Sequence, residues 1–549
     1  MVAQTFSSVQ DMYGKIISER THKHMAIYLN QGNNEFISYK IDDIFVDKSL
    51  LIKETNASLN KKSQKFMCVT RPRRFGKSLA LSMLNAYYSK GCDSRELFKD
   101  LKISKDPSFG SHLNKHSVIW VDMAEVYTYL DNKNDFLEKL NAEVTQELAK
   151  NYPDLNFSGL KLGEAIRLIN SERGETFIFL IDEWDVVYRE QEHNRKLCDS
   201  YTEFLRSLFK SSRSSSCFDL VYMTGILPIR RYSTQSTLNM FTEYNMVKPR
   251  GFGKHFGFTE DETKALCERY GRDFNEIKSW YDGYRLDGTE IYNPKSVVEA
   301  IELGVCDDYW TQTSAIEAVT DYMNYDHGAL KATIARLLSG EREAIDADAF
   351  RNDLTMVNSG DAALTVLIHL GYLGYDPDTS SCYVPNREIA EELIRATREI
   401  KWGSIYDPIS NSEKLLRDTL SGNAEAIDAA FDRNHKELAS PFSKNDENVL
   451  SVIAIVSYYK ARNHYSVRKE EISMNGRSDI SFFPKEAGYP PFIVELKAGH
   501  SPEEAIEQIK ERRYWEAWDG YKGKVLLVGI NYDEKTLKHS SKVEWIEIK

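Results

Sequence analysis

The stretch VTRPRRFGKSLALSML, residues 69–84, determines how the first part of this chain is understood. It contains Gly76, Lys77 and Ser78 in succession before an apolar run, which is typical of a loop that binds phosphate between a strand and a helix. KFMCVT predicts the strand, and KSLALSMLNAYYS predicts the helix, whose N-terminus would face the anion. The loop lacks one usual feature, because Arg71 stands where such loops have their first glycine.

This loop predicts contacts to the phosphate chain of ATP. We expect Lys77 to reach the terminal phosphates and the hydroxyl of Ser78 to bind Mg²⁺. The turn adds three cations that could contact phosphate oxygens themselves. The candidate nucleotide-binding residues of the loop are therefore Arg71, Arg73, Arg74, Gly76, Lys77 and Ser78. The alternative is a solvated basic surface, because a Gly-Lys-Ser tripeptide also arises by chance in long chains.

Two later strands carry residues that suit the same site. TFIFLIDEWD predicts a buried strand that ends in Asp182 and Glu183. A strand-end aspartate can hold Mg²⁺, and the glutamate after it can activate the attacking water. DLVYMTGI predicts the next strand, which would place Thr224 near the γ-phosphate, and Arg230 or Arg231 could approach it too. For these two arginines, an ordinary surface charge explains the sequence equally well.

The C-terminal part predicts a helix, three strands, a second helix and a last strand. NDENVLSVIAIVSYYKARN is the first helix, and Asn475-Gly476 is a strong signal for the hairpin after it. PPFIVELK is the third strand. The second helix has a typical start, formed by Ser501, Pro502 and Glu504. KVLLVGI is the last strand.

The predicted strand register brings two carboxylates together. If residues 484–490 form the loop, Asp479 lies opposite Glu495, with Cβ atoms about 5 Å apart. Such a pair repels unless a cation or a proton lies between the two groups, and Lys497 points to the same face. Two acids and a lysine suit phosphodiester hydrolysis with Mg²⁺ or Mn²⁺. The alternative is an exposed hairpin with a salt bridge, because Glu-x-Lys recurs in this chain.

Composition limits the class of protein. The chain has 549 residues, of which 42% are hydrophobic and 28% charged, so we expect a soluble globular protein of several domains. Its net charge of −12 excludes a uniformly basic surface, so any nucleic-acid contact must be local. The seven cysteines form no CxxC pair, and no apolar stretch reaches the length of a membrane span. We therefore expect a cytoplasmic protein without a membrane contact.

The pattern along the chain divides it into three parts. Residues 1–254 alternate short apolar strands with helices, which predicts a mainly parallel α/β sheet with crossover helices. Residues 255–434 are mostly helical, and we expect a lid and connecting region there. Residues 435–549 predict a small α/β domain, in which basic and acidic residues are equal in number.

Several segments together resemble the AAA-ATPase-like family. They are FVDKSLLIKE, RPRRFGKSLALSML, FLIDEWD, TGILPI with STLNMFTEY, FGFTEDE, and WYDGYRLDG with IYNPKSVVEAI, and they extend over about residues 10 to 310. Members of that family typically have RPRRFGKS in place of the first-glycine form, so the resemblance explains Arg71. It implies a P-loop-type domain that binds ATP with Mg²⁺.

The tail resembles the PD-(D/E)XK nuclease fold, which bacterial members of that family commonly carry at the C-terminus. GRSD supplies the first acid and VELK supplies the second acid and the lysine, so the resemblance gives Asp479, Glu495 and Lys497 the catalytic roles. Gln508 matches a frequent accessory position. Glu447 could be a further metal ligand, although a glutamate that stabilises a helix N-terminus is an equally good explanation. The proline of the family name is absent, at a position that varies.

These observations lead to one main hypothesis and two alternatives. We expect an ATP-binding and ATP-hydrolysing protein whose nucleotide state controls a metal-dependent nuclease, with DNA preferred over RNA and a homo-oligomer left open. By resemblance, defence or mobile-element handling is the setting. The first alternative is a nucleotide-regulated binding or signalling module whose tail holds nucleic acid without cutting it. The second is an ATPase whose tail is only structural.

Overall fold

The computed structural model describes residues 26–190, 194–229, 238–310, 329–347, 359–438, 447–473, 476–518 and 520–549. The chain forms two compact units. The first extends to Tyr244 but lacks residues 71–75, which group with the second unit, Asn245–Lys549. The predicted three-part division at residues 254 and 434 stays a prediction.

The first unit is built on a five-stranded parallel sheet in the order β2-β3-β4-β1-β5. Strands β1, β3 and β4 are those predicted from KFMCVT, TFIFLIDEWD and DLVYMTGI, and all three are buried along their whole length. Continuous burial is expected for parallel strands with both faces covered. The bounds are β1 Phe66–Thr70, β2 Ser117–Asp122, β3 Phe177–Asp182, β4 Phe218–Gly225 and β5 Thr242–Tyr244.

Helices connect these parallel strands, as the sequence predicted. The helix after β1 begins at Lys77, and Gly76 before it has φ 85°, a left-handed conformation that favours glycine. Because parallel strands end at one edge, this helix start lies at the same edge as the ends of β3 and β4. The α-helices of this unit are Asn34–Lys40, Leu51–Ser58, Lys77–Tyr88, Arg95–Phe98, Phe109–His112, Met123–Thr128, Phe136–Asn151, Leu162–Arg173, Val186–Glu190, Arg195–Phe209 and Ser212–Ser215.

The second unit begins with a mostly helical region, as predicted, with two small antiparallel sheets. Strands β6 Phe258–Thr259, β7 Tyr284–Leu286 and β8 Thr289–Tyr292 form one sheet. Strands β9 Glu343–Ala344, β10 Gly374–Asp376 and β11 Ser381–Tyr383 form the other. The α-helices are Glu260–Tyr270, Phe274–Tyr281, Pro294–Leu303, Ala329–Ser339, Gly360–Leu370, Arg387–Glu399, Gly403–Leu420 and Ala424–Leu438.

The C-terminal sheet has five strands in chain order, of which only β14 and β15 are parallel. The helix Pro502–Arg512 joins those two, and its N-cap Ser501 accepts a hydrogen bond from the backbone N–H of Glu504 at 3.2 Å, as expected. The helix Glu447–Ser457 precedes the sheet. The strands are β12 Tyr465–Ser473, β13 Gly476–Pro484, β14 Phe492–Ala498, β15 Gly523–Asp533 and β16 Lys538–Ile548. The sequence did not predict β16, and Asn475 of the predicted hairpin lies outside the described residues.

The helical region and the C-terminal sheet share one hydrophobic core. Leu364 and Leu393 from the helices belong to the same buried cluster as Phe482, Phe492 and Val528 from the sheet. The part of the chain that the structure describes has no helix with the combined length and hydropathy of a membrane span.

Candidate nucleotide and metal sites

The carboxylate of Asp182 is the centre of the first candidate site. It ends β3, is 1% exposed, and forms hydrogen bonds with the hydroxyls of Ser78 and Thr224. The backbone N–H of Glu183 donates to it at 3.0 Å. Burial raises the pKa of Asp182 to about 6, although the two hydroxyl hydrogen bonds act in the opposite direction. A buried carboxylate beside two hydroxyls fits a Mg²⁺ ion that would complete the charge balance.

Lys77 lies beside these acids. Its side chain is buried, and burial lowers the pKa of its ammonium group, whereas the nearby charges of Glu183 and Asp182 raise it. Since the lysine is the first residue of its helix, its charge lies where the helix itself already favours an anion. The structure thus brings together five of the residues that the sequence placed in one nucleotide site, Lys77, Ser78, Asp182, Glu183 and Thr224.

Glu183 adopts an uncommon backbone conformation, with φ 50° in the left-handed region. Its carboxylate pairs with the guanidinium of Arg189, which also donates to Asp185 at 3.2 Å. Asp185 in turn accepts from the backbone N–H groups of Ile226 and Leu227 at 3.1 and 2.8 Å. Arg189 therefore fixes the position of Glu183. Asp185 connects the segments that follow β3 and β4 through its hydrogen bonds.

A further carboxylate, which sequence reasoning missed, lies next to Asp182. Asp122 ends β2 and pairs with Asp182 in the strand register. It accepts from the backbone N–H groups of Ala124 at 2.8 Å and Glu125 at 3.1 Å, and burial raises its pKa. The signal was present, because SVIWVD ends in an aspartate just as FIFLID does.

The three arginines of the loop lie in the second unit. Arg71 is fully buried, and its guanidinium lies 5.3 Å from the centre of the Phe256 ring. The carbonyl of Arg73 accepts a hydrogen bond from Trp310 Nε1 at 3.0 Å, and Arg74 is exposed. Phosphate contacts of these arginines stay predictions. Arg230 and Arg231 lie outside the described residues.

The second candidate site is formed where β13 meets β14. Ile480 pairs with Val494 and Phe482 with Phe492, and the ladder ends at the first of these pairs. The same register, extended by one residue, puts Asp479 opposite Glu495, in agreement with the sequence prediction. The carboxylate of Asp479 accepts from the backbone N–H of Leu496 at 2.7 Å. The backbone N–H of Asp479 lies 3.4 Å from Glu495 Oε2. The two acids are thus held together by the backbones of both strands.

Glu495 is the more deeply buried of the two acids. It is 1% exposed, and burial, followed by the charge of Asp479, raises its pKa to about 7. Lys497 Nζ lies 3.2 Å from Glu495 Oε1 and acts in the opposite direction. The amide of Gln508 also donates to Glu495 Oε1. The structure therefore groups four of the five residues that the sequence placed in the nuclease-type site, Asp479, Glu495, Lys497 and Gln508.

Tyr514 is a member of this site that sequence reasoning missed. Its hydroxyl accepts a hydrogen bond from Gln508 Nε2 at 2.9 Å, and the tyrosine is 2% exposed. The helix ends at Arg512, so the spacing of six residues between Gln508 and Tyr514 is not a helical one. Without the position of the helix end, the sequence alone gives no signal for this contact.

The residues of the C-terminal site fit a divalent cation that keeps much of its water shell. Within the residues that the structure describes, no group of three or more His, Cys, Asp or Glu is arranged to hold a metal. Mg²⁺, however, is commonly bound through one or two carboxylates plus waters, and Asp479 and Glu495 supply two neighbouring carboxylates, with Lys497 beside them. Glu447 begins its helix, but its side chain lies outside the described residues.

Two domain families match this chain. Residues 34–234 match the AAA-ATPase-like family, described as a predicted AAA-ATPase. Residues 445–542 match the PD-(D/E)XK nuclease superfamily. The two matches cover the parts of the chain that contain the two candidate sites, and the resemblance found in the sequence is confirmed.

Known proteins are similar to this chain at low identity. A protein of Azotobacter chroococcum mcd 1, titled "Uncharacterized protein in vnfD 5'region", is 22% identical over 84% of this chain and 89% of its own. Two solved structures from Aeropyrum pernix are each 12% identical to it. The match to the ORC2 protein, in ADPNP-ADP complexes, covers 65% of this chain and 96% of the ORC2 chain, with a TM-score of 0.28. The match to the ORC1 protein in complex with DNA covers 83% of this chain and 94% of the ORC1 chain, with a TM-score of 0.24. At these scores the two structures carry no argument about this chain.

Proposed function

We propose that this chain, which carries a predicted AAA-ATPase domain and a PD-(D/E)XK nuclease-superfamily domain, binds and hydrolyses ATP and cleaves nucleic acid with a divalent metal. The observation that carries the proposal is the arrangement of Asp479, Glu495 and Lys497. Burying one of two opposed acids, whose pKa rises to about 7, costs free energy even with a lysine 3.2 Å away, and a divalent metal ion bound between the acids would offset that cost.

In the nucleotide site, each residue has a role that follows from its position. Lys77 would neutralise the terminal phosphates, and Ser78 and Asp182 would hold Mg²⁺, which stabilises the charge on the phosphate oxygens. Thr224 hydrogen-bonds to Asp182 and would sense the γ-phosphate from the end of β4. Glu183 would accept a proton from the attacking water once its carboxylate leaves Arg189.

The role of Glu183 can be tested without removing nucleotide binding. Glu183→Gln keeps the size of the side chain but cannot take a proton, so ATP hydrolysis should fall by roughly 10² to 10⁴. Binding of a fluorescent ATP analogue should stay within a few-fold of the parent protein. Unchanged ATP hydrolysis by Glu183→Gln would contradict the proposed role.

In the C-terminal site, Asp479 and Glu495 would hold Mg²⁺ or Mn²⁺, which lowers the pKa of a water and stabilises negative charge on the phosphate. Lys497 would orient the attacking water and stabilise the same charge. Gln508, held by Tyr514, keeps Glu495 in place through its amide. Glu447 is a candidate for a further ligand.

We also propose a substrate, a mode of regulation and a biological setting for this activity. DNA is the favoured substrate, and the nucleotide state of the first unit controls the cleavage, which serves defence or mobile-element handling. All seven cysteines are free, which suits the cytoplasm. Self-association of the ATP-bound chain is compatible with this function, and light scattering with and without ATP would measure it.

One observation favours a second function, a nucleotide-regulated module that binds nucleic acid without cutting it. The C-terminal residues 435–549 carry as many acidic as basic residues, whereas a cutting groove is usually basic. Incubation of DNA with the protein and Mg²⁺ or Mn²⁺ separates the two functions. Cleavage that disappears in Asp479→Ala supports the nuclease, and binding without cleavage at either metal supports the module.

A further inference from the structure

Four cationic side chains gather at the end of the C-terminal sheet where β13 ends. They are Arg387, Lys460, Arg462 and Lys485. Arg387 begins its helix and donates to Asn463 Oδ1 at 2.9 Å. Lys485, which follows β13, donates through Nζ to the carbonyl of Arg462 at 2.7 Å and through its backbone N–H to His464 at 2.8 Å. These bonds connect Arg387, Arg462 and Lys485, and Lys460 lies in the same short helix as Arg462, Tyr459–Asn463. We call these four cations the basic surface.

The basic surface is not neutralised by its surroundings. No aspartate or glutamate among the described residues forms an ion pair with any of its four cations, whereas Arg395, Lys469 and Lys510 of the same unit all have acidic partners. Partial burial and the charges of Arg387 and Arg462 lower the pKa of Lys485. Arg462 donates to the backbone carbonyls of Leu338 and Ser339 at 3.2 and 3.3 Å, but these groups carry no full negative charge. Crowded cations without acidic partners cost stability, so an anion that binds here would remove a repulsion.

Among the described residues, Glu391 and Glu486 act on the four cations, and Glu413 lies 3.8 Å from Nε2 of the neighbouring His464; none of the three forms an ion pair with a cation of the basic surface. Burial raises the pKa of Glu391, although the charges of Arg387 and Lys460 act in the opposite direction. Glu391 therefore takes up a proton more easily than an exposed glutamate. Glu486 is exposed next to Lys485 and offsets only part of the lowering of its pKa. The surface therefore keeps an excess of positive charge in a chain whose net charge is −12.

Aromatic rings hold the charged and planar groups of this region in place. The guanidinium of Arg387 lies 4.0 Å from the centre of the Trp280 ring, and that of Arg462 lies 4.7 Å from the centre of Tyr459. The His464 ring stacks on Tyr489 with centroids 4.4 Å apart and planes inclined by 20°. Stacked guanidinium and ring planes are the groups on which exposed bases pack, and fixed cations match a fixed series of phosphates.

We propose that the basic surface binds the phosphodiester backbone of nucleic acid at a second point, away from the cleavage residues. The choice of nucleic acid as the ligand rests on the proposed function. Lys485 follows Asp479 by six residues along a strand, which corresponds to about 20 Å. A strand of nucleic acid spans that distance with about six nucleotides. The second contact would supply affinity to a C-terminal region, residues 435–549, in which acidic and basic residues are equal in number.

The test measures binding separately from cutting. All proteins carry Lys497→Ala so that the DNA stays intact, and binding of a labelled duplex of about 30 base pairs is titrated between about 50 and 200 mM salt. The test variant adds Arg387→Gln and Lys485→Gln. The matched control adds Arg433→Gln and Lys436→Gln, which remove the same two charge types from exposed positions on the helix Ala424–Leu438.

We expect the test variant to bind about tenfold more weakly, and the slope of log affinity against log salt to fall by about 2, one for each lost contact. In the control, the affinity and the salt slope should both fall much less. Lys485→Gln alone, at an exposed position, should reduce the slope by about 1 and guards against a folding defect of the double variant. Thermal unfolding and ATP-analogue binding verify that each variant is folded.

Two outcomes would overturn the inference. In the first, the test variant and the control lose equal affinity, so that the position of the charges has no effect. In the second, polyglutamate displaces the duplex as well as unlabelled DNA of the same charge does, so that the surface takes any polyanion. A failure of the proposed function is separate, because it would appear as absence of cleavage by the protein with Lys497 intact.

Discussion

The carboxylate of Asp479 accepts a hydrogen bond at 2.7 Å from the backbone N–H of Leu496, the residue between Glu495 and Lys497. This bond fixes the first acid against the strand that carries the other two groups. Asp479→Asn can keep the hydrogen bond but not the negative charge, so folding should be preserved while metal-dependent cleavage falls by about a hundredfold or more. Plasmid cleavage measures the loss, with Glu534→Gln, at an exposed position between β15 and β16, as the control. Equal cleavage by Asp479→Asn and the control would contradict the role.

The stability of the protein should depend on pH through Glu495. Its pKa in the folded protein is about 7, above that of an unfolded glutamate near 4.3, because of burial and the charge of Asp479. The folded state thus keeps a proton that the unfolded chain releases, and stability falls as pH rises from about 4.5 to 7. Denaturant unfolding in EDTA at several pH values should show this fall, and Glu495→Gln should make it smaller.

Added Mg²⁺ provides the complementary result. Because the cation binds the ionised pair, it should restore stability above pH 7 in the parent protein and have little effect in Glu495→Gln. Asp182, with a pKa of about 6, contributes a similar fall in both proteins, so only the difference between them reports on Glu495. Identical pH profiles for the two proteins would contradict this assignment.

The ion pair around Arg189 should be important for the stability of the first unit. Asp185 is fully buried, so Arg189→Met leaves its charge without a cation and should cost about 3–5 kcal/mol. The double variant with Asp185→Asn should recover most of this loss. Arg206→Met breaks an exposed pair with Glu203 and should cost less than about 1 kcal/mol. Chemical denaturation measures all three, and equal losses in the two single variants would contradict the prediction.

Gly225, at the end of β4, should tolerate no side chain. A Cβ atom there would lie 2.5 Å from Trp184 Cδ1 and 2.6 Å from Asp185 Oδ1. We expect Gly225→Ala to cost about 1–3 kcal/mol, since both neighbours are buried and cannot move freely. Gly110→Ala, where nothing lies within 4 Å of the added atom, is the matched control and should be close to neutral. A neutral Gly225→Ala in thermal unfolding would contradict the packing argument.

Much of the C-terminal site could be predicted from its sequence. Alternation along β13 and β14 and the length of the loop between them fix the register, and the register puts Asp479 opposite Glu495. Tyr514 could not be predicted, because its contact with Gln508 depends on where the helix ends and how the chain turns afterwards. Strand β16 was missed because its alternation of charged and apolar residues is weak.

The loop of the first site shows a different limit. The strand, the turn and the helix start at Lys77 follow from local sequence signals, and the structure has all three. The burial of Arg71 against Phe256 does not follow, because it depends on a contact between residues far apart in the chain. Asp122 was visible as a strand-end acid, but only the strand order places it beside Asp182.

The most direct test of the account is plasmid cleavage by the purified full chain with Mg²⁺ or Mn²⁺, with and without ATP. We predict metal-dependent cleavage that responds to ATP, that is abolished by Lys497→Ala, and that loses its response to ATP in Lys77→Ala. Intact plasmid with either metal in every nucleotide state, or cleavage that persists in Lys497→Ala, would contradict the account.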